Sequence, residues 1–409
     1  MKPSGIEWIG DIPDDWEVTK ISRLYSIQLG KMLQPEKKSS GDTYEPYICA
    51  ANLSSGTFRL DEVKYMWISE PEKDIYRLKR DDLLVTEGGD VGISSIWKDD
   101  ISPCYFQNAL HRVVPKKGNS TRFLHYWLIV LKSVGYIDLI CNKSTIAHFT
   151  KEKFAQSLIL SIPLQTQQRI ADYLDEKCGE IDATIAKQKE IIEKLKAYKQ
   201  SLISETVTKG LDKSAPLKPS GIKWLGEISQ NARIIRLRFL SSIQTGDKDT
   251  ANRVENGKYP FYVRSPIVER IDTFSFDGEA ILMAGDGVGA GKVFHYVNGK
   301  FDYHQRVYNI HNLKGVLGKF LYYYLRENFY KEIEQSNAKS TVDSIRLPML
   351  LDFPIIVYLY DLQKKIVSFL DKKVTEIDVI IIKKQNIIQK LDAYKKSLIF
   401  EYVTGKRLV

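Results

Sequence analysis

Two stretches of this chain place an apolar residue at alternating third and fourth positions for about four heptads, and the two stretches match each other. In the first, Leu174, Ile181, Gln188, Leu195 and Leu202 recur every seven residues, with Cys178, Ile185 and Ile192 in the other seam position. In the second, Leu370, Ile377, Lys384, Leu391 and Leu398 do the same, with Val374, Ile381 and Ile388. Lys and Glu fill the intervening positions, which is the pattern of long helices packing as a coiled coil. Ahead of each helix the periodicity changes. Thr57 to Trp67, Leu83 to Trp97, Phe261 to Ile271 and Val293 to Asn309 alternate apolar and polar residues between Gly, Asn and Asp turns, which predicts strands.

The matching helices belong to a wider internal repeat. Lys2-Pro3-Ser4-Gly5-Ile6-Glu7-Trp8-Ile9-Gly10 returns as Lys218-Pro219-Ser220-Gly221-Ile222-Lys223-Trp224-Leu225-Gly226, an offset of 216. Further on the offset is 197, aligning Gly88-Gly89-Asp90-Val91-Gly92 with Gly285-Asp286-Gly287-Val288-Gly289 and Phe123 to Leu128 with Phe320 to Leu325. At offset 196, residues 170–203 and 366–399 are identical at 19 of 34 positions. The chain is therefore two copies of one unit, each a mixed segment closed by a long helix. Each helix supplies the other's partner. Copies related by a pseudo-twofold axis predict an antiparallel pair of roughly 60 Å with the globular segments at its opposite ends. Gln188 and Lys384 occupy the same seam position, either pinning the register or lining a solvated gap.

Composition narrows the function classes. The 409 residues are 43% hydrophobic and 11% aromatic, enough to bury sizeable cores. No apolar run approaches a membrane span, and the N-terminus lacks the order of a signal peptide, so a cytoplasmic protein without a membrane partner is expected. Against 51 Asp and Glu there are 60 Lys and Arg, a net charge of +9 that permits a polyanionic partner without requiring one. The four cysteines Cys49, Cys104, Cys141 and Cys178 form no CxxC pair and are expected as reduced thiols.

Catalytic and metal motifs are missing. Gly287-Val288-Gly289-Ala290-Gly291-Lys292 approaches a phosphate loop, but Asp286 stands where its leading Gly belongs and Val293 follows the lysine. None of the six histidines forms HExxH, and His125 becomes Tyr322 in the second copy. Neither a metal nor an enzyme activity is expected of this chain.

Two globular ends suit the reading of two separated pieces of duplex DNA, because helical periodicity makes half-site spacing a geometric quantity. Candidate contacts in the first copy are Arg59, Lys64, Tyr65, Glu87, Gln107, Asn108, His111, Arg112, Lys143, Ser144 and Thr145. In the second they are Arg253, Arg264, Arg270, Asp286, His304, Gln305, Arg306, Lys339, Ser340 and Thr341. Lys and Arg supply phosphate contacts, while Arg, Asn and Gln can read base edges. The trio Lys143-Ser144-Thr145 survives as Lys339-Ser340-Thr341, which fits either a DNA contact or a helix cap. Residues 31–81 and 247–278 hardly align, so a common scaffold carries unlike faces. A coiled-coil adaptor with two protein- or glycan-binding ends fits that pattern as well.

The opening Pro3-Ser4-Gly5-Ile6-Glu7-Trp8-Ile9-Gly10-Asp11-Ile12-Pro13, with Trp16-Glu17-Val18, resembles the specificity subunit of type I restriction-modification systems. So do its second copy from Pro219, the run Ile162-Pro163-Leu164-Gln165-Thr166-Gln167-Gln168-Arg169-Ile170-Ala171-Asp172-Tyr173-Leu174 at the helix start, and the Ile181-Asp182 step. The resemblance covers essentially the whole chain. It implies an α+β architecture: two pseudo-symmetric α/β target-recognition domains separated by an antiparallel coiled coil. The implied boundaries are 1–160 and 212–356 for the recognition domains, with 161–211 and 357–409 for the repeated helices. It further implies that each domain reads half of an asymmetric bipartite site in double-stranded DNA. Two modification (methyltransferase) subunits would dock on the helices, and restriction (motor-nuclease) subunits would join them. S-adenosylmethionine, ATP and Mg are then expected in those partner subunits and no cofactor in this chain. The second copy departs from the pattern at Leu359-Tyr360-Asp361-Leu362-Gln363 and at Ser229-Gln230-Asn231-Ala232.

Overall fold

The computed structural model describes residues 1–54, 56–141, 147–336 and 344–408, apart from the side chains of 332 and 334–336. The chain divides into two units, 1–187 with 386–409, and 188–385. Each of the two long helices, Leu164–Lys209 and Tyr360–Val403, therefore gives one half to each unit.

In the first unit an antiparallel sheet runs in the order Ser94–Ile96, Leu83–Thr86, Leu110–Pro115, Tyr25–Leu29. All four residues of Leu83–Thr86 are buried, the mark of a strand covered on both faces. Helix Thr121–Ser133 is among its covers: Phe123, Leu124, Trp127, Leu128, Val130 and Leu131 fall on one helical face and are all buried. A smaller sheet joins Thr43–Ile48 to Lys64–Ile68 (antiparallel) and to Tyr105–Phe106 (parallel). The core also holds Trp16, Phe149 and Phe154, and the helix residues Leu174, Cys178, Ile181, Ile185, Leu398, Ile399 and Val403 pack into it.

In the second unit one six-stranded sheet takes the order Ser242–Thr245, Val307–His311, Phe276–Ala284, Phe294–Tyr303, Tyr259–Tyr262, Val268–Ile271. Its core combines Phe320, Leu321, Tyr324, Phe329 and Phe353 with Ile203, Val207, Ile366, Leu370 and Val374 from the long helices. At the position of Trp16 the second copy buries Ala232, and Trp224 stacks on Phe353 with ring centroids 5.7 Å apart.

The start of each long helix is fixed by a buried glutamine. Gln167 Nε2 donates to the Ile162 carbonyl at 2.9 Å, and its Oε1 accepts the Ser120 amide at 2.9 Å. Gln363 repeats this with the Tyr358 carbonyl at 2.7 Å and the Leu317 amide at 2.8 Å, although its neighbours in sequence differ from those of Gln167. Each helix is also tied to the body by a hydroxyl–carboxylate pair: Tyr126 to Asp175 at 2.6 Å, and Tyr323 to Asp371 at 2.7 Å.

Within each unit the two helix halves run antiparallel. In the first, Tyr173 meets Tyr402 with centroids 4.5 Å apart, and Asp182 pairs with Lys395 at 2.6 Å. In the second, Lys199 pairs with Asp378 at 2.6 Å, the same two positions with the roles of the helices exchanged. Lys384 Nζ donates to Gln188 Oε1 at 2.9 Å, so the two polar seam positions bond to one another. Of the seam residues, Leu174, Ile181, Ile185, Ile192, Leu370, Ile377, Ile381 and Leu398 are buried, while Leu195, Leu202, Ile388 and Leu391 are half-buried. At Leu202 the buried role passes to Ile203, because there the helix faces the core of its unit.

No helix among the described residues is long and apolar enough to cross a membrane. The four thiols are unpaired, with Cys104, Cys141 and Cys178 buried.

Candidate nucleic-acid interface

In the second unit three backbone segments converge on one turn. Tyr262 lies beside Tyr303 in a parallel ladder, and Ala284 lies opposite Val307 in an antiparallel one. Residues just beyond those strand ends, Arg264, Asp286 and Arg306, therefore meet. Arg264 Nη1 lies 3.1 Å from Asp286 Oδ1, and Arg306 Nε lies 3.6 Å from Asp286 Oδ2. The carboxylate is mostly covered, at 21% exposure, while the two guanidinium side chains stand out at 45% and 64%.

His304 braces this turn from beneath. Its Nδ1 accepts the Arg306 amide at 2.9 Å, which places the proton of the neutral ring on Nε2, 3.7 Å from Asp249 Oδ2. Burial, and then the nearby Arg264 charge, hold its pKa below the usual histidine value. Gln305 donates to the same Asp249 carboxylate at 3.2 Å. Two other candidates serve the neighbouring hairpin: Arg270 donates to the Gly257 and Lys258 carbonyls at 2.9 and 3.0 Å, and Arg253 lies 3.7 Å from Glu269.

The equivalent region of the first unit is built differently. Glu87 donates its amide to the Ala109 carbonyl, and its own carbonyl accepts the Phe149 amide. Gln107 and Asn108 hold their turn through backbone bonds to Ile48 and Lys31. His111 is fully buried, with Nε2 2.8 Å from the Phe149 carbonyl, and burial holds its pKa below the usual value. Arg112 donates to the Arg77 carbonyl at 2.8 Å and to Gln28 at 2.5 Å, with its guanidinium 5.2 Å from the centre of the Phe106 ring. His111 Nε2 and the Arg112 Nη groups thus bond within the fold, while His111 Nδ1 and Arg112 Nε are buried without a hydrogen-bond partner among the described residues.

Arg59, Lys64 and Tyr65 are exposed. Tyr65 stacks on Tyr44 with centroids 5.6 Å apart, Trp67 tilts against Tyr44 at 5.2 Å, and Lys37 Nζ sits 5.2 Å from the Trp67 ring centre. This aromatic and cationic ledge can stack bases and meet phosphates. Of its members only Tyr65 was a candidate from sequence; the alternation of Tyr65 and Trp67 along one strand opposite Tyr44 was the available signal. Sequence reasoning also passed over Lys31, which is buried at 6% exposure and bonds Glu72 at 2.5 Å and Gln34 at 3.0 Å. Lys143, Ser144, Thr145, Lys339, Ser340 and Thr341 lie outside the described residues.

The phosphate-loop lookalike has another use. Lys292 Nζ rests 4.2 Å from the centre of the Tyr330 ring.

Residues 13–197 and 234–392 both match the family model described as the type I restriction modification DNA specificity domain. The chain belongs to that family. Among curated relatives, the MjaVIII specificity subunit of Methanocaldococcus jannaschii is 23% identical over 419 residues, covering 97% of this chain and 93% of the relative. The EcoDI specificity subunit of Escherichia coli is 28% identical over 182 residues, 44% of this chain and 40% of the relative. The match thus spans well under two thirds of the latter protein. Two solved structures share the fold at 13% identity. One, described in connection with complex assembly of the type I R-M system, aligns with a TM-score of 0.73 over 97% of this chain and all of its own. The other, the HsdS subunit of Thermoanaerobacter tengcongensis, aligns at 0.51 over 97% of this chain and 98% of its own.

Proposed function

We propose that this chain is the specificity subunit of a type I restriction-modification complex, acting in the cytoplasm and catalysing nothing itself. Each unit reads one half of an asymmetric bipartite site in double-stranded DNA. The long helices dock two methyltransferase subunits, to which restriction subunits are added. S-adenosylmethionine, ATP and Mg belong to those partners. The observation that carries this reading is the contrast between the two faces. One family domain is present twice on a repeated frame, yet one copy presents Arg264, Asp286 and Arg306 and the other Tyr44, Tyr65 and Trp67.

Salt titration of duplex binding tests it. A subunit neutralising six or more phosphates loses about three orders of magnitude in affinity between 50 and 200 mM salt. The full chain, purified with its modification subunit, is expected to show such a slope and to prefer some sequences over others. Salt-insensitive binding would favour a protein-binding adaptor. Methyl transfer to DNA by the chain alone would refute its non-catalytic role.

A further inference from the structure

Hydrogen bonding fixes which residues of the two units correspond around the converging turn. The Phe149 amide donates to the Glu87 carbonyl, and the Ile345 amide donates to the Gly285 carbonyl. Glu87 donates to the Ala109 carbonyl as Gly285 does to that of Arg306. Glu87 thus corresponds to Gly285, one residue away from the pairing given by the sequence offset, and Gly88 corresponds to Asp286. The parallel ladders pair Phe106 with Ile48 and Tyr303 with Tyr262, so Ala50 corresponds to Arg264 and Ala109 to Arg306. Where the second unit has Arg, Asp and Arg from three separate segments, the first has Ala, Gly and Ala. The three charged groups are present together or replaced together, as expected of one device and not of three independent surface charges.

The geometry also says what the device presents. Asp286 accepts a hydrogen bond from Arg264 Nη1 at 3.1 Å and meets Arg306 Nε by charge alone at 3.6 Å, so the two Nη groups of Arg306, a side chain 64% exposed, keep their donors for a ligand. A guanidinium with two parallel donors to spare matches the O6 and N7 acceptors of guanine. A backbone phosphate accepts the same fork, but phosphate contacts carry no sequence information and would suit both copies of a repeated frame, whereas this element is confined to one. We propose that Arg264 and Arg306, held by Asp286, form a guanine-reading element of the second recognition unit, with no counterpart in the first. This rests on the DNA-specificity reading above.

The test is selection from a randomised duplex library by the full chain bound to its modification subunit. The wild-type complex is expected to enrich a split motif with guanine at one position or more in one half. Arg306→Lys and Arg264→Lys keep the charge but lose the fork. Either is expected to lower guanine preference there roughly tenfold, leaving the other half of the motif and the melting midpoint unchanged. Asp286→Asn should weaken the same position and Asp286→Glu restore part of it, which a merely structural role would not do. An unchanged motif in both lysine variants overturns the assignment. So does a uniform affinity loss at all sequences with a shallower salt slope, the signature of phosphate contacts. A wild-type complex that enriches no motif overturns the specificity reading itself, and this assignment with it.

Discussion

Replacing Gln167 by Leu tests how the long helix is joined to its unit. The side chain is 1% exposed and makes two good bonds at 2.9 Å, to the Ser120 amide and the Ile162 carbonyl. Leucine fills nearly the same volume but leaves both backbone groups without their partner. An orphaned buried polar group costs about 1–3 kcal/mol. Ile162 is buried and Ser120 only half-buried, so water recovers part of the amide's loss and the sum falls near 3 kcal/mol. That is a large share of the roughly 5–15 kcal/mol by which ordinary domains are stable. Denaturant unfolding followed by circular dichroism should show a transition at lower denaturant with an unchanged slope. Gln167→Glu should be damaging too, because a carboxylate can accept from Ser120 but cannot donate to Ile162. Gln363→Leu should cost as much, since its bonds are equally short. A loss below about 0.5 kcal/mol in either leucine variant would refute the argument, being the level of an ordinary surface substitution.

Other expectations follow from single contacts. Burial pushes the pKa of His125, whose Nδ1 lies 2.9 Å from the Ser94 hydroxyl, down from 6.5 to about 4. The folded state therefore resists protonation, and stability that is full above the unfolded value falls as the pH drops from 6.5 towards 4. The loss is at most about 3 kcal/mol, and His125→Tyr, the residue of the second copy, should flatten that part of a melting-midpoint profile. A Cβ at Gly246 would collide with the Tyr303 carbonyl oxygen, and one at Gly30 with the Gln107 carbonyl. Gly246→Ala and Gly30→Ala should each cost about 2 kcal/mol or more in denaturant unfolding. Asp182→Asn, breaking an exposed pair with Lys395, should change stability by less than about 1 kcal/mol.

The long-range periodicities of this chain could be read because they repeat. Leu174, Ile181, Ile185, Leu370, Ile377 and Ile381 are buried where the heptads place them, and the doubled sequence supplies each helix with its partner. The pattern fails at Leu202, where globular packing selects Ile203 and the seven-residue rule no longer governs the face. The surface was less legible. His111, Arg112 and His304 have residue types suited to DNA, yet hydrogen bonding and burial turn them to internal duties. Arg264, Asp286 and Arg306 were candidates one by one, but their union depends on two ladder registers joining strands far apart in sequence. Composition carries no information on register.

The most direct test is a genome-wide map of N6-methyladenine in a host expressing this chain with the modification subunit proposed as its partner. The account predicts methylation confined to one split, asymmetric motif, lost when the chain is omitted or when residues 170–203 are deleted. Methylation that appears without the chain, or a motif indifferent to it, would contradict the claim that this protein confers DNA specificity.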